Sequence, residues 1–486
     1  MKNKSTIFNL CFKQIIRKEK YSRAIRRRNM IEKIFKLSQK NTTVKTEVVA
    51  GITTFMTMAY ILAVNPNILG AAGMDPTAVL LATCLASFIG TMCMAFMANL
   101  PFALSAGMGL NAFFAFTVCG VMGHSWKLAL AAVFVEGIIF IILSLTNVRE
   151  AIFNAIPLTL KRAVSVGIGL FIAFIGLQGA KLCVNEDSTL VTIINFRDNF
   201  NTAGICALLA LIGLFITAVL YIKRVKGSIL IGILATWILG MICQAVKLYV
   251  PDVENGYYSL YPTFAMTDFS ALGKTFGQIF SGGVISEIKG DILNFVIIVF
   301  SFLFVDIFDT LGTLIGVSSK ADMLDEEGRL PEIKPALLAD AVATSAGAVL
   351  GTSTTTTFVE SAAGVAEGGR TGLTAVVTGL LFLVSMLFAP IFTAIPGFAT
   401  APALIMVGFL MFTSIKDIVF SDENMVETIP AYICIIAMPL FYSISEGIGL
   451  GIISYVILNA VCGKAKKVKP LMYVLAILFI LKYVFL

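Results

Sequence analysis

Long apolar runs dominate this chain and recur from near residue 48 to its last residues. Most are about 18 residues or longer, which is the length that an α-helix needs to cross a bilayer core about 30 Å thick. Backbone groups in lipid must be hydrogen-bonded within their own segment, so each run predicts a helix. The alternating period-two pattern of a membrane β-barrel does not occur. The pattern therefore predicts an all-α polytopic membrane protein.

The apolar pattern divides into fourteen predicted membrane spans, two of which are short and interrupted. Clusters of Lys and Arg follow the fourth, sixth and fourteenth spans, as expected for cytoplasmic loops if the N-terminus is inside. The predicted spans are 49–69, 78–98, 103–121, 127–146, 163–182, 202–222, 228–247, 293–316, 336–351, 356–367, 373–394, 400–416, 428–443 and 446–463.

The composition supports this class. Of the 486 residues, 58% are hydrophobic and only 13% are charged, whereas about 25% are charged in soluble globular chains. Residues 1–46 carry a net charge of +12, which leaves the remainder slightly acidic. The basic balance therefore indicates a cytoplasmic tail beside anionic lipid, and it does not imply nucleic acid binding. A single His and dispersed Cys residues favour no metal site, and no cofactor is expected.

The spans and charges predict five regions. A basic cytoplasmic segment precedes a first set of seven spans, and an extracellular connection leads to a second set and an apolar tail. The tail either lies in the interface or crosses as an extra helix. The five regions are 1–46, 47–250, 251–290, 291–463 and 464–486.

Two predicted spans, the third and the tenth, are broken by Gly, Pro, Ser or Thr: Pro101–Phe114 and Gly351–Gly364. Paired breaks at corresponding places in two halves indicate a transport site built from half-helices. The residues just before each break are also alike, since Leu80–Gly90 aligns with Leu337–Gly347 at a constant offset of 257. An odd number of spans per repeat implies inverted halves, and such a repeat favours a transporter.

Carboxyl groups at membrane depth are costly and usually functional. Of these, Asp306 and Asp309 stand three residues apart and share a helix face. Two carboxyls so close at low dielectric do not both ionise readily, which favours a site that takes up and releases a proton. The alternative is a structural pair satisfied by hydroxyls and backbone. The candidates are Glu136, Asp306, Asp309, Asp340, Glu360 and Glu446.

The second broken span places Glu360 after the run Thr352–Thr357 and before Ser361. Such a break exposes backbone N–H groups and hydroxyls around one carboxylate, which suits a polar ligand. The alternative is a Glu that caps the following half-helix. In the first broken span, Asn111 either contacts a ligand or ties two helices together. Phe358 could stack on a flat ring, although packing is the plainer role for any one of 38 Phe.

Three carboxyls are weaker candidates. Asp340 stands near the start of its span and is interpreted as a cap or a cytoplasmic-end group. Glu446 falls at a turn between two short spans. Glu136 is deeper and is expected to tie the fourth span to its neighbours.

At several of these positions the chain resembles the AzgA-like purine permeases of the nucleobase–cation symporter group, which have the uracil-permease fold. The motifs that carry the resemblance appear in order over residues 30–486. They are Lys45–Pro66, Ser105–Phe114, Asp306–Gly312, Gly351–Gly364 and Ala401–Gly408.

This resemblance implies fourteen spans in two inverted sets of seven, with a core of the first four and eighth to eleventh spans moving against a gate of the others. It implies proton-coupled import of adenine, guanine or hypoxanthine across the bacterial inner membrane. By position, Asn111, Asp306 and Glu360 match residues near the base, with Phe358 and Ser361 beside them. Asp306 and Asp309 match the acidic pair, which we interpret as the proton-coupling site. Expected partners are the base, protons and lipid, with a homodimer as one possible assembly.

Three other function classes compete with this hypothesis. One of them, a channel-like or purely structural membrane protein, is disfavoured by the repeat and the paired broken segments. An anion transporter of the sulfate or bicarbonate type, on the same fold, would need a cation or bare helix N-termini at the tenth span, where Glu360 stands. An intramembrane enzyme would need a nucleophile or metal constellation, and the sequence contains no nucleotide loop, nucleophile elbow or His/Cys cluster. The sequence therefore predicts a transporter, not an enzyme.

Overall fold

The computed structural model describes residues 31–146, 156–186, 188–197, 200–252, 257–262, 265–321, 323–325 and 330–485. The first thirty residues of the predicted basic segment and Arg149 of the fourth-span cluster lie outside these ranges. In the first half, π-helical turns extend three helices, at Met94–Ala98, Phe113–Val121 and Phe200–Gly204. The first-half elements are α1 Val44–Met58, α2 Ile61–Gly70, α3 Pro76–Cys93, β1 Leu104–Ala106, α4 Met108–Ala112, α5 Trp126–Leu145, α6 Leu158–Gly179, β2 Cys183–Glu186, β3 Leu190–Ile193, α7 Ile205–Ile222 and α8 Ser228–Ala245.

The second half begins with a sharply bent pair of helices, since the segment that ends at Gly290 meets the next helix at 107°. The second-half elements are α9 Gly282–Gly290, α10 Ile292–Lys320, α11 Ile333–Leu350, β4 Thr355–Thr357, α12 Ser361–Ala366, α13 Gly372–Ser385, α14 Ala389–Thr393, α15 Gly397–Phe412, α16 Met425–Leu440, α17 Ile444–Val461 and α18 Pro470–Phe485.

Within the described ranges, ten helical segments are long and apolar enough to cross a membrane, or up to eleven if the bent pair is one span. The protein is therefore a multi-pass helical membrane protein, as predicted. Each of the fourteen predicted segments contains a helix. The third and tenth are a short strand followed by a short helix, which is why they fall outside the count of long spans.

Local sequence fixes the ends of the helices that lead into these breaks. The Asp75 carboxylate accepts from the Ala78 N–H and caps α3, with Pro76 in the first turn. Helix α11 ends at Gly351, whose φ of +102° lies in the left-handed region that favours glycine. A side chain there would also collide with Thr275, since an added Cβ would lie 2.2 Å from the Thr275 Cβ.

The most extensive helix packing falls into two groups. Helices α3, α5 and α13 pack with α11 or with α1 around the two broken segments, while α6, α7, α15, α16 and α17 pack among themselves. The apolar tail forms α18, and its buried Phe479 packs against Phe300 and Phe304 of α10. Both broken segments lie within the first of these two groups.

Candidate functional site

The two broken segments meet in a short antiparallel ladder. Strand β1 pairs with β4 so that Ser105 stands opposite Thr356. The ladder continues at both ends, because the Gly107 N–H donates to the Thr354 carbonyl and the Phe358 N–H donates to the Ala103 carbonyl, each at 3.0 Å. Helix α4 starts just past one end of the ladder and α12 just past the other.

Hydroxyl side chains from neighbouring helices hold this ladder in place. The Ser87 and Ser105 hydroxyls lie 2.7 Å apart, and the Thr344 hydroxyl donates to the Thr355 carbonyl at 3.0 Å. All four residues are fully buried. Irregular backbone is tolerated at membrane depth only where protein groups satisfy it, so these hydroxyls make the broken segments possible.

Three predicted ligand residues lie inside this framework and are almost fully buried. Ser353 donates a very short hydrogen bond to Asn111 Oδ1, while Asn111 Nδ2 lies 3.5 Å from the Ala106 carbonyl. The Ser361 hydroxyl accepts from the Ala103 N–H at 3.0 Å. Phe358 is 5% exposed. In this conformation the side chains of Asn111 and Ser361 join the two segments to each other.

Asp309 and Glu360 are only partly buried, whereas Glu136, Asp306 and Asp340 are fully buried. The Thr356 hydroxyl donates to Asp309 Oδ2 at 3.4 Å. An added Cβ at Gly107 would lie 3.4 Å from the same oxygen and 3.0 Å from the Thr356 hydroxyl, so glycine keeps this space open. Glu360 stands directly before α12 but makes no side-chain capping bond, which does not support a capping role.

Sequence reasoning missed one residue of the site, Tyr60. Its hydroxyl donates to Glu360 Oε1 at 2.6 Å, across 300 positions of the chain. Tyr60 lies at the break between α1 and α2 and is 1% exposed. A buried tyrosine hydroxyl needs a polar partner, so a tyrosine inside the first span was a usable signal.

The eighth and ninth spans contribute a second cluster. The Thr310 hydroxyl lies 2.6 Å from Asp306 Oδ1 and 3.1 Å from Asp340 Oδ2. Asp340 also accepts from the Thr357 N–H at 3.2 Å. The interpretation of Asp340 as a cap or cytoplasmic-end group was wrong, because Asp340 lies in the third turn of α11 and is fully buried.

The remaining candidates lie at the margins of this cluster. Glu136 Oε2 accepts from the Thr354 hydroxyl at 3.0 Å, which confirms the predicted tie from the fourth span. Glu446 is in the first turn of α17, outside the broken segments. Within the described ranges, no group of three or more His, Cys, Asp or Glu could hold a metal ion. The accessible carboxyls can instead accept hydrogen bonds from a ligand that carries N–H groups.

A family model described as the permease family matches residues 45–450, which include both broken segments and every carboxyl discussed above. The chain belongs to the permease family.

Two curated relatives cover nearly the whole permease. The adenine permease AdeP of Escherichia coli is 41% identical over 94% of this chain and 96% of its own length. The guanine/hypoxanthine permease PbuO of Bacillus subtilis is 43% identical over 92% of this chain and 99% of its own length. Among solved structures, the transmembrane domain of a cyanobacterial bicarbonate transporter, BicA, aligns with a TM-score of 0.57 at 15% identity. It covers 84% of this chain and 97% of that domain, and it supports the fold alone.

Proposed function

We propose that this permease imports purine nucleobases by proton symport. The observation that carries the proposal is the pair of partly exposed carboxyls, Asp309 and Glu360, which lie beside the paired broken segments and are close enough to interact electrostatically. A purine presents ring N–H and amino donors, which carboxylate oxygens accept. The relatives AdeP and PbuO, named as adenine and guanine/hypoxanthine permeases, support this class of cargo.

Side-chain exposure supports a division of roles within the site. Glu360 and Asp309 are the carboxyls that a base can reach in this conformation, whereas Asp306 and Asn111 are fully buried. We assign base binding to Glu360 and Asp309, positioning of Glu360 to Tyr60, and proton binding to Asp306. Asn111, Ser361 and Phe358 then hold the broken segments in register beneath the base.

The transport cycle follows from the fold class. A neutral base needs a co-transported ion to accumulate, and a buried carboxyl can supply it by binding a proton on one side and releasing it on the other. We propose fourteen spans in two inverted sets of seven, with the helices around the broken segments moving as a core against the others. The N-terminus is assigned to the cytoplasm and the protein to the bacterial inner membrane. The homodimer stays a prediction.

The anion-transporter alternative is disfavoured by charge. Asp306, Asp309, Asp340 and Glu360 converge at the broken segments, where an anionic cargo would meet carboxyls instead of cations. The similarity to BicA extends to the fold alone.

Uptake of radiolabelled adenine, guanine and hypoxanthine by a purine-transport-deficient bacterium tests this function. We expect saturable uptake for which unlabelled purines compete. Uptake should be faster at about pH 5.5 than at about pH 8, and it should fall with a protonophore. Glu360→Gln should abolish uptake while membrane insertion stays normal. The matched control is Glu332→Gln, at a surface glutamate paired with Lys40, which should transport normally. The absence of purine uptake at either pH would contradict the proposal.

A further inference from the structure

A single hydroxyl stands between two fully buried carboxyls in this permease. Thr310 Oγ1 lies 2.6 Å from Asp306 Oδ1 and 3.1 Å from Asp340 Oδ2, and none of the three side chains is exposed. A hydroxyl carries one proton, so it can donate fully to one carboxylate only. The hydroxyl can form a second hydrogen bond with the other carboxyl if that carboxyl is protonated and donates to the hydroxyl oxygen.

Charge leads to the same protonation state. Two carboxylates that close at low dielectric repel each other, and one bound proton relieves both the repulsion and the cost of burial. Asp306 and Asp340 should therefore hold one proton between them, with Thr310 relaying the hydrogen bond. The pair lies on α10 and α11, which belong to different predicted spans.

Asp340 also contacts the strand that carries the substrate side of the site. Its Oδ1 accepts from the Thr357 N–H at 3.2 Å. The neighbouring residue Thr356 contacts Asp309, and Glu360 follows three residues after Thr357. A change in the protonation of Asp340 therefore acts directly on the backbone that positions both base-binding carboxyls.

The corresponding position in the first half shows that a link between a span and the tenth segment does not require a carboxyl. Thr83 stands 257 residues before Asp340, at the offset of the sequence repeat. Its hydroxyl accepts from Asn65 Nδ2 at 2.7 Å and lies 3.2 Å from the Thr352 hydroxyl, so it joins the first span to the tenth segment. A neutral hydroxyl is enough there, and an acidic group at Asp340 therefore indicates an additional role.

The elements packed around the pair bring further carboxyls. Asp309 is on the same helix as Asp306, and Asp340 influences it electrostatically. Glu360 stands beyond Asp309, and Glu136 on α5 contacts Thr354 of the tenth segment. The proton shared by Asp306 and Asp340 thus lies at the fully buried part of an acidic cluster whose partly exposed members are Asp309 and Glu360.

We propose that Asp340, through Thr310, shares the transported proton with Asp306 and couples proton binding to the base site. This inference rests on the proposed proton symport. The proton comes from water on the side to which the site is open and is carried as a carboxyl O–H of the pair. It then leaves to water on the opposite side, which regenerates the carboxylate.

Purified protein in liposomes can separate coupling from base binding. Counterflow measures exchange of labelled for unlabelled purine without a pH gradient, whereas gradient-driven accumulation requires proton coupling. Asp340→Asn keeps a hydrogen-bonding side chain of the same shape but cannot bind and release a proton. We expect accumulation driven by a pH gradient to fall at least about tenfold, while counterflow stays within about threefold of wild type.

Substitutions at Thr310 decide the outcome if the Asp340 variant is misfolded. Thr310→Val keeps the shape and removes the relay, and should give the same loss of accumulation with counterflow retained. Thr310→Ser restores the hydroxyl and should recover accumulation. Gradient-driven accumulation at the wild-type level in Thr310→Val or Asp340→Asn would overturn the proposal. Equal loss of both activities in Thr310→Val and Thr310→Ser would assign the trio to structure and also overturn it.

Measurements on the wild-type protein distinguish failure of this inference from failure of the proposed function. If wild type shows no purine counterflow, purine transport itself fails. If wild type exchanges purine but a pH gradient drives no accumulation, purine transport stands and both the proton symport and the role of Asp340 fail. If wild type accumulates purine and Asp340→Asn does so equally, only the role of Asp340 fails.

Discussion

The Tyr60 hydroxyl lies 2.6 Å from Glu360 Oε1 and joins the junction of α1 and α2 in the first span to the broken tenth span. The contact occupies one oxygen of the carboxylate. Thr57, three residues before Tyr60, lies 3.5 Å from the Glu360 backbone carbonyl. The first span therefore orients the residue to which we assign base binding.

Removing the Tyr60 hydroxyl should weaken purine binding. A hydrogen bond to a charged group contributes about 1.5–3 kcal/mol, so Tyr60→Phe should raise KM by about tenfold or more. Vmax should change less, because the residues assigned to proton coupling are unaltered. Uptake kinetics with labelled purine measure both parameters. Tyr432→Phe, at an exposed tyrosine on α16, is the matched control and should keep the wild-type KM. An unchanged KM in Tyr60→Phe would remove Tyr60 from the site.

The hydrogen bond between Ser353 and Asn111 allows a test of whether Asn111 links the two broken segments or contacts the base. If Asn111 holds the two broken segments together through Ser353, then Asn111→Ala and Ser353→Ala should impair uptake similarly. The double variant should add little to either, because the residues act as one unit. Purine binding to purified protein and uptake rates provide the measurement. A much larger rise in KM for Asn111→Ala than for Ser353→Ala would indicate direct contact with the base.

Close packing of α1 against α12 predicts a steric limit at Gly364. An added Cβ would lie 2.0 Å from the Thr54 hydroxyl and 2.7 Å from the Ala50 carbonyl, and the carbonyl cannot move aside as a side chain can. Gly364→Ala should therefore destabilise the protein by about 1–3 kcal/mol and lower uptake. Thermal unfolding in detergent gives the comparison. Gly282→Ala, where nothing lies within 4 Å of the added Cβ, should leave stability nearly unchanged.

A surface ion pair outside the spans predicts a pH dependence of stability. Partial burial acts to raise the pKa of Asp75, but hydrogen bonds from Lys274 Nζ and the Ala78 N–H outweigh it and the pKa is lowered. A lowered native pKa stabilises the fold above the unfolded pKa, and this stabilisation is lost as the pH falls through the native value.

Lys274→Met should consequently melt below wild type at about pH 6, and the difference should shrink toward about pH 3, where Asp75 becomes protonated. Lys289→Met, at another exposed lysine in the region between α8 and α10, should show little difference at any pH. A difference between Lys274→Met and wild type that does not change with pH would show that the Asp75 charge contributes nothing.

Much of the fold could be predicted because the bilayer constrains it strongly. Apolar length predicts helices, and the interruptions at Pro101–Phe114 and Gly351–Gly364 identified the two segments that form β1 and β4. The fold class and the family were confirmed. The span count and the inverted repeat remain predictions.

The role predicted for Asp340 from the sequence was wrong, and the sequence did not single out Tyr60. Asp340 was judged by its distance along the chain from the start of its span, which says nothing about the helices that surround it. Tyr60 carries no charge, so the cost of burying a charge in lipid did not single it out. Both residues are identified by their partners, Thr310 and Glu360, which lie 30 and 300 positions away.

The sequence by itself determined that this protein spans the membrane through helices and which segments are broken, because hydrophobic length and helix-breaking residues are local properties of the chain. The tertiary structure decided which carboxyls are fully buried and which, like Asp309 and Glu360, are partly exposed. That division depends on the ladder between β1 and β4 and on the hydroxyls of Tyr60 and Thr310. These contacts join residues that are distant in sequence, and only the packing of helices brings them within hydrogen-bonding distance.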